Sequence, residues 1–585
     1  MRLKHHKIFD HIPLVQTLQN YNLKMLEKDA LAGVNVALLA FPQGLAFALI
    51  AGLPVQYGVF GAAIAAVIGS VVSSTRYISL GPTNATAVML LGAFISLNAS
   101  EQMMLTLLPM ILVLVGLFLI AAYTIRAASL IQYVSRSVIT GYITAAAFLI
   151  VVNQLKHVLG FSIEREGATF SDILIRTVWH LPQTHGATLA FSILVLGVYI
   201  LLKKWIPKLP VVALTLIIAA LFGNLWNGFA SLPQRLAMFP SFTVEDWSLS
   251  LPDWNFETIS HLGSIALALA FLCLLEGVSI AKSLAARSGD DIDPNREMLS
   301  IGLANLACGL FSGMPASGSL TRSTLNWSSG AVTSISNLVN GVLCVLGATL
   351  LGPMIQYIPK AALAVIVIRI GISLIHWDHI RVMVKTTSMD RAVFIGTFLS
   401  ALVFRLDTAI FFGTGLSVLM FLRRAAMPEL VEYSFGSNGL LTALGKDQER
   451  NHPGISIVHV EGNLFFGAAE LFRNQMRRIF VDPNLKVVVL KMRNALHLDA
   501  TTALALRELA NYMHDLDRHL LVCEIRPEVK GIFESAGLIE TIQEPNIFPD
   551  DPRNPLKSTA RAVARARELI GAPKVEVSIL AEEPS

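Results

Sequence analysis

The chain has 585 residues, of which 54% are apolar and only 15% charged. A typical soluble domain carries about 25% charged residues, which excludes an ordinary soluble enzyme, and a disordered protein would need low hydrophobicity and high charge. The formal charge of +4 is too close to neutral for a nucleic-acid binder. Four scattered cysteines, Cys273, Cys308, Cys344 and Cys523, support neither a disulfide framework nor a zinc cluster.

Charge divides the chain at Arg424. Residues 1–424 hold 27 Lys/Arg and 19 Asp/Glu, whereas 425–585 hold 18 and 22. The first density suits a membrane domain and the second a soluble one. Residues 1–29 are polar and lack the pattern of a signal peptide, so they are expected in the cytoplasm. Apolar stretches predict spans near 30–50, 56–73, 83–97, 103–123, 128–150, 187–203, 209–225, 260–284, 296–312, 319–330, 334–352, 360–375, 391–405 and 408–424. Fourteen spans return the C-terminus to the cytoplasm. Lys203, Lys204, Arg423 and Arg424 then lie inside, as the positive-inside rule requires.

Two spans, 83–97 and 319–330, are too short to cross alone. Each is the third of a seven-helix half, with repeat 1 near 30–225 and repeat 2 near 260–424. Each follows a small-residue stretch containing proline: Gly81-Pro82-Thr83-Asn84-Ala85-Thr86 and Met314-Pro315-Ala316-Ser317-Gly318-Ser319. Paired interrupted helices point to a transporter site near the midplane. Free N–H groups and the positive helix ends there suit an anion.

Of the acidic residues before Arg424, Glu276 lies deepest in an apolar span, Leu272-Cys273-Leu274-Leu275-Glu276-Gly277. Such a group reads as a proton or cation site, the alternative being a carboxylate bonded to neighbouring hydroxyls. Arg322 opens the second short helix and suits oxyanion recognition. Arg369, near a span end, reads as a snorkelling side chain. In the first span, Pro42 is expected to break the helix, with Gln43 and Phe47 forming a pocket wall.

These residues carry a family resemblance. Ala40-Phe41-Pro42-Gln43-Gly44-Leu45-Ala46-Phe47-Ala48, Ala51-Gly52-Leu53-Pro54 and Thr75-Arg76-Tyr77-Ile78-Ser79-Leu80-Gly81-Pro82 resemble the first three helices of the SulP family of sulfate permease-type anion transporters. Ser279-Ile280-Ala281-Lys282, Asp293-Pro294-Asn295-Arg296-Glu297, Gly302-Leu303-Ala304-Asn305 and Gly318-Ser319-Leu320-Thr321-Arg322-Ser323 continue it in order. The resemblance implies an α-helical polytopic membrane protein with 14 spans in two inverted seven-helix repeats, whose core and gate domains move in an elevator-like cycle. The anion would sit between the N-termini of the third and tenth spans, on Gln43, Phe47, Thr83, Asn84, Ser319, Leu320, Thr321 and Arg322. Glu276 matches the position associated with cation coupling. Thr83 departs from the animal members, which carry phenylalanine there. Ser73-Ser74-Thr75-Arg76 replaces a Gly-Thr-Ser-Arg stretch, a change read as neutral.

After Pro428 the pattern changes. Ile455–Val460 and Val487–Leu490 predict strands, and Thr501–His514 and Arg526–Ala536 predict helices, a small α/β domain over 425–585. It resembles the STAS domain that follows the membrane part in SulP proteins. Leu498-Asp499-Ala500-Thr501-Thr502 corresponds to a phosphorylated serine loop of bacterial anti-sigma antagonists. Asp499, Thr501 and Thr502 thus read either as a regulatory site or, preferably, as a helix cap. His5, His6, His459 and His497 read as surface histidines, since no paired ligand spacing accompanies them.

The expected function is a cation-coupled importer of a small anion, sulfate foremost, working as a homodimer in the cell membrane with no cofactor or metal beyond the coupling H⁺ or Na⁺. Bicarbonate and C4-dicarboxylates share the required chemistry. An uncoupled exchanger or channel, and a membrane-anchored scaffold whose STAS domain recruits a cytoplasmic protein, are the rivals. No nucleophile–base set suggests an enzyme.

Overall fold

The computed structural model describes residues 13–19, 21–97, 99–129, 135–163, 170–206, 209–231, 234–404, 406–435, 441–444, 450, 452–496, 498–551 and 553–571. His5, His6 and His497 lie outside them. The chain forms two compact units, Met1–Ser417 and Val418–Ser585.

The first unit is helical apart from two short strands. In chain order it contains α1 (Pro13–Gln19), α2 (Leu23–Ala51), α3 (Val55–Val72), β1 (Leu80–Gly81), α4 (Asn84–Ser96), α5 (Glu101–Thr124), α6 (Arg136–Leu159), α7 (Phe170–Trp179), α8 (Gly186–Trp205) and α9 (Val211–Phe229). There follow α10 (Phe256–Ser288), α11 (Pro294–Leu310), β2 (Ser317–Gly318), α12 (Leu320–Ser328), α13 (Ile335–Leu351), α14 (Lys360–Ser373), α15 (Trp377–Thr386), α16 (Ser388–Val403) and α17 (Leu406–Ala425), which runs on into the second unit.

A helix stands at each of the fourteen predicted spans. Among the described residues, ten stretches are long and apolar enough to cross a bilayer by themselves. Of the fourteen, those outside that set are α4, α11, α12 and α16, of 13, 17, 9 and 16 residues. Short helices of this kind survive in a membrane when neighbouring protein, rather than lipid, surrounds their ends. The sequence pattern did not indicate α7 and α15. Both have ten residues, and they follow α6 and α14, the fifth of the predicted spans in each half.

The helices sort into two bundles. One joins α2–α5 to α10–α13, and the other packs α6 against α14 and α16 and α8 against α14. The first bundle is built on close backbone approach. A Cβ added to Gly58 of α3 would collide with the Gly44 carbonyl oxygen of α2. Small residues allow such contact where lipid offers no hydrophobic incentive for association.

Pro42 does not break its helix. The residue lies inside the continuous α2. It removes one N–H donor, but packing of α2 against α3 and α13 holds the helix through that point. Arg369 is half-buried; its guanidinium lies over the Tyr199 ring, 5.7 Å from the centroid, and its Nε is enclosed.

The non-helical backbone between helices is satisfied internally. β1 and β2 pair antiparallel, Leu80 opposite Gly318 and Gly81 opposite Ser317. Ser319 N–H donates to the Ser79 carbonyl, and Ser79 N–H to Ser323 Oγ. Asn305 brackets Ala316, donating to its carbonyl at 2.8 Å and accepting from its N–H at 3.0 Å. Asn337 donates to the Ile78 carbonyl.

Two buried carboxylates, neither given a role from the sequence, do similar work. Glu297, at the start of α11, is fully buried. It accepts from Ser73 Oγ, Ser74 N and Oγ, and Thr75 N and Oγ1. The Ser73-Ser74-Thr75 stretch, taken as neutral, is therefore the donor set of an anchor leading into β1. Asp29 of α2 is likewise fully buried, accepting from Val332 N, Thr333 N and Thr333 Oγ1 ahead of α13.

The second unit is a six-stranded sheet with helices on both faces. Its elements are β3 (Glu429–Phe435), β4 (Leu441–Ala443), β5 (Ile455–Asn463), α18 (Phe466–Phe480), β6 (Val487–Leu496), α19 (Ala500–Asp515), β7 (His519–Ile525), α20 (Pro527–Ser535), α21 (Leu538–Ile542), β8 (Ile547–Pro549) and α22 (Pro555–Ile570). The order is β4-β3-β5-β6-β7-β8, parallel from β5 to β8 and antiparallel at β3 and β4. Val458, Val488, Leu490 and Val522 pack with Phe472, Leu506 and Phe533 on one face. Ile457, Val487 and Val489 meet Ala562, Val563 and Ala566 of α22 on the other. Burial on both faces explains the uninterrupted apolar run of β6. His459 is not a surface residue. It is 9% exposed, with Nε2 3.2 Å from Glu461 and 3.1 Å from Asn494 Nδ2. Burial and the neighbouring Lys491 ammonium hold its imidazole below the ordinary value.

Glu297→Ala leaves several buried donors without an acceptor, each costing about 1–3 kcal/mol. A markedly lower melting temperature of the detergent-solubilised protein is expected, and an unchanged one would contradict the anchor role. For His459 the depressed folded value means that its contribution is present above the unfolded value of 6.5 and lost as pH falls through it. The second unit should melt earlier at about pH 5.5 than at about pH 7.5, and His459→Gln should narrow that difference. Equal pH sensitivity of variant and wild type in calorimetry would contradict this assignment.

Candidate functional site

The antiparallel pairing of β1 with β2 brings the starts of α4 and α12 to the same place. Each helix begins with a hydroxyl cap. Thr83 has extended backbone angles, its side chain accepts from Thr86 N–H, and the Thr86 side chain accepts in return from Thr83 N–H. Ser319 caps α12, accepting from Arg322 N–H at 3.5 Å. The other first-turn N–H groups of each helix have no acceptor within it and carry the positive helix end.

Arg322 adds a formal charge. Only 1% of it is exposed. From α12 its Nη1 reaches back to the Pro82 carbonyl at 3.0 Å and to Gln43 Oε1 at 3.4 Å. Its Nη2 is buried without a hydrogen-bond partner, 2.9 Å from where a Cβ on Gly81 would stand. The guanidinium thus sits directly before the start of α4. A single helix end is worth about 0.3–1 kcal/mol to an anion, and up to about 2 where partly buried. Removing one ion from water costs several kcal/mol. Two helix ends alone fall short of that cost, and Arg322 adds a formal positive charge beside them.

Glu276 of α10 meets the same point from another side. Thr83 Oγ1 donates to its Oε2 at 2.8 Å. The approach depends on glycine: a Cβ on Gly318 would lie 3.1 Å from Gly277 Cα, so β2 rests against the helix beside Glu276. Ser317 Oγ donates to the Cys273 carbonyl one turn earlier and ties the two together.

The other predicted residues fall into three groups. Gln43 and Asn84 are half-buried, Gln43 bonded to Arg322 and Asn84 with its Oδ1 buried and unpartnered. Leu320, 50% exposed, and Thr321 are open at the start of α12. Phe47 is 4% exposed and belongs to the apolar core of the bundle.

In the second unit Asp499 is a double cap. Its Oδ1 accepts from Thr502 N–H at 2.9 Å, opening α19, and its Oδ2 from Phe466 N–H at 2.6 Å, opening α18. Thr501 is exposed, whereas Thr502 is fully buried with its hydroxyl enclosed.

Two helical halves meeting at paired short strands, followed by a small sheet domain, define a multi-span membrane protein with a STAS-like C-terminal domain. The sequence pattern of the Sulfate permease family matches residues 26–397, and that of the STAS domain matches residues 448–551. The chain belongs to the sulfate permease family. It is 26% identical over 539 residues to the putative sulfate transporter YvdB of Bacillus subtilis, covering 91% of this chain and 97% of that one. It is also 26% identical to human solute carrier family 26 member 6, over 80% of this chain and 65% of that protein. Among solved structures it resembles murine Slc26a9, an anion transporter in the inward-facing state, with a TM-score of 0.85, 19% identity and coverage of 97% and 96%. The transmembrane domain of the cyanobacterial bicarbonate transporter BicA overlays with a TM-score of 0.58 and 19% identity, over 68% of this chain and 98% of that one.

Asp499→Ala removes two caps at about 1 kcal/mol each. The melting temperature of the second unit should fall by about 4–8 °C, while Asp499→Asn retains most of it. Calorimetry of the full-length protein showing no shift for the alanine variant would refute the double cap.

Proposed function

We propose that this protein is a secondary active transporter of small oxyanions, sulfate foremost, coupled to an inward proton movement. The observation that carries this reading is the convergence of the Thr83 cap, Glu276 and Arg322 at the start of α4. With Glu276 ionised, its charge offsets that of Arg322 and the helix ends. Protonation of Glu276 removes that offset and leaves a net positive site. Anion binding and proton binding then favour each other, which is the reciprocity that coupled transport requires. The family, and the names of the relatives as sulfate transporters, support sulfate over the other oxyanions.

The anion is held between the starts of α4 and α12, on their N–H groups with Arg322, Gln43, Thr83, Asn84, Ser319, Leu320 and Thr321 around it. Phe47 contributes packing behind Gln43. The bundle carrying these residues moves against the α6–α9 and α14–α17 bundle to expose the site to either side. The protein works as a homodimer in the cell membrane with both termini in the cytoplasm. It needs no metal or organic cofactor.

The test is initial uptake of labelled sulfate into proteoliposomes with and without an inward proton gradient. Gradient-stimulated accumulation is expected, and Glu276→Gln should abolish the stimulation while sulfate still binds. Accumulation indifferent to the gradient in the wild type, or undiminished in the Glu276→Gln protein, would overturn proton coupling.

A further inference from the structure

We propose that Thr83 is a single-proton relay between the coupling carboxylate and the anion. Its hydroxyl donates to Glu276 while that group is ionised, and turns to the bound anion once Glu276 has taken up a proton. This deepens the reading of Glu276 given above and rests on it.

The geometry leaves the Thr83 proton one destination at a time. An ionised carboxylate only accepts, so the 2.8 Å bond between Thr83 Oγ1 and Glu276 Oε2 uses the threonine proton. Thr86 N–H donates to Thr83 Oγ1 at 3.3 Å. Thr86 Oγ1, 3.2 Å away, accepts from Thr83 N–H at 3.1 Å and keeps one acceptor site, a weaker partner for the Thr83 proton than an ionised carboxylate or an oxyanion. The proton of Thr86 has its own carbonyl acceptors, Thr83 at 3.1 Å and Pro315 at 3.3 Å. Thr86 is thus occupied as a clamp between α4 and the segment before β2.

Protonation of Glu276 inverts the bond. One proton from the aqueous phase forms the carboxyl O–H, which now donates to Thr83 Oγ1. That oxygen then accepts from both Glu276 and Thr86 N–H, and its own proton turns to the charged anion in preference to the neutral Thr86 Oγ1. As the cap of α4, Thr83 stands at the helix start whose unpaired N–H groups face the proposed anion. No other bond is made or broken, and Thr83 keeps its proton throughout, since its hydroxyl only rotates. A hydroxyl serves here because it carries one donor and two acceptor sites.

The charged and titratable surroundings of Glu276 are few. Thr83 faces it from α4, Ser317 from β2 and Arg322 from α12, with Cys273 one turn back on its own helix and Cys308 beyond it on α11. The stretch of α5 from Met104 to Leu119 contributes no titratable side chain. Thr83 is therefore the hydroxyl that joins the carboxylate to the start of α4.

The experiment is a double-mutant cycle on the purified full-length protein, reading equilibrium binding of labelled sulfate at about pH 8, where Glu276 is to be ionised in the wild type. Glu276→Gln, whose amide donates in place of the carboxylic acid, should tighten sulfate about tenfold in the wild-type and Thr83→Ser backgrounds. In the Thr83→Val background the same change should tighten it no more than about twofold. Should Thr83→Val fail to fold, Thr83→Asn keeps the cap but has two donors, so it never has to choose, and the cycle should collapse there too. Equal tightening in the hydroxyl-bearing and Thr83→Val backgrounds, or in Thr83→Asn where the valine variant does not fold, would overturn the relay while leaving Glu276 as the coupling group. No effect of Glu276→Gln in the wild type, or no sulfate binding at any pH, would overturn the function proposed above and the relay with it.

Discussion

The structure depends on one constraint: backbone that leaves a helix inside a membrane must find every partner within the protein. Two segments break helix at that depth, before α4 and before α12. Each offers the other half of its hydrogen bonds, through the antiparallel pairing of β1 and β2. The remainder is met by side chains that have no other task in view. Asn305 brackets Ala316, Ser323 takes the Ser79 N–H, and Asn337 holds the Ile78 carbonyl. The short strands and their amides are thus conditions for the two short helices to exist.

The same constraint produces the site. Backbone that pairs along β1 and β2 delivers two helix N-termini to one location, and their first-turn donors stay free because the strands end there. An excess of positive potential results, to which Arg322 adds a formal charge and from which Glu276 subtracts one. Glu297 and Asp29 use carboxylates differently. Both are saturated with backbone N–H and hydroxyl donors and have little capacity left for a ligand. Glu276 has a sparse hydrogen-bond shell by comparison, with the Thr83 hydroxyl as its short contact. Of the three carboxylates, the half-buried Glu276 is the one with acceptor capacity left for a further partner.

Much of this fold was legible in the sequence because hydropathy reports burial in lipid directly. The helices at all fourteen predicted spans, the paired short helices and the change of pattern after Pro428 follow from that signal. Two readings failed for physical reasons. Pro42 reads as a helix breaker, but neighbouring helices hold α2 continuous through it. His459 lacks any ligand spacing and so reads as a surface residue, although a strand buries it beside Glu461. The role of Glu297 had one available signal, three consecutive hydroxyl residues at 73–75 with no acceptor nearby in sequence.

The sequence by itself determined which segments enter the membrane, where two of them stop short, and which charges are carried there. These are local properties, written in composition and spacing. Only the tertiary structure decided which of those charges meet. Thr83 and Glu276 are 193 residues apart, and Arg322 is 240 residues from the Pro82 carbonyl it holds. Their contact follows from strand pairing and from glycines that let α10 rest against β2. No periodicity along a chain encodes a distance between side chains on different helices. That distance is set by packing, and here the packing joins a cap, a carboxylate and a guanidinium into one site.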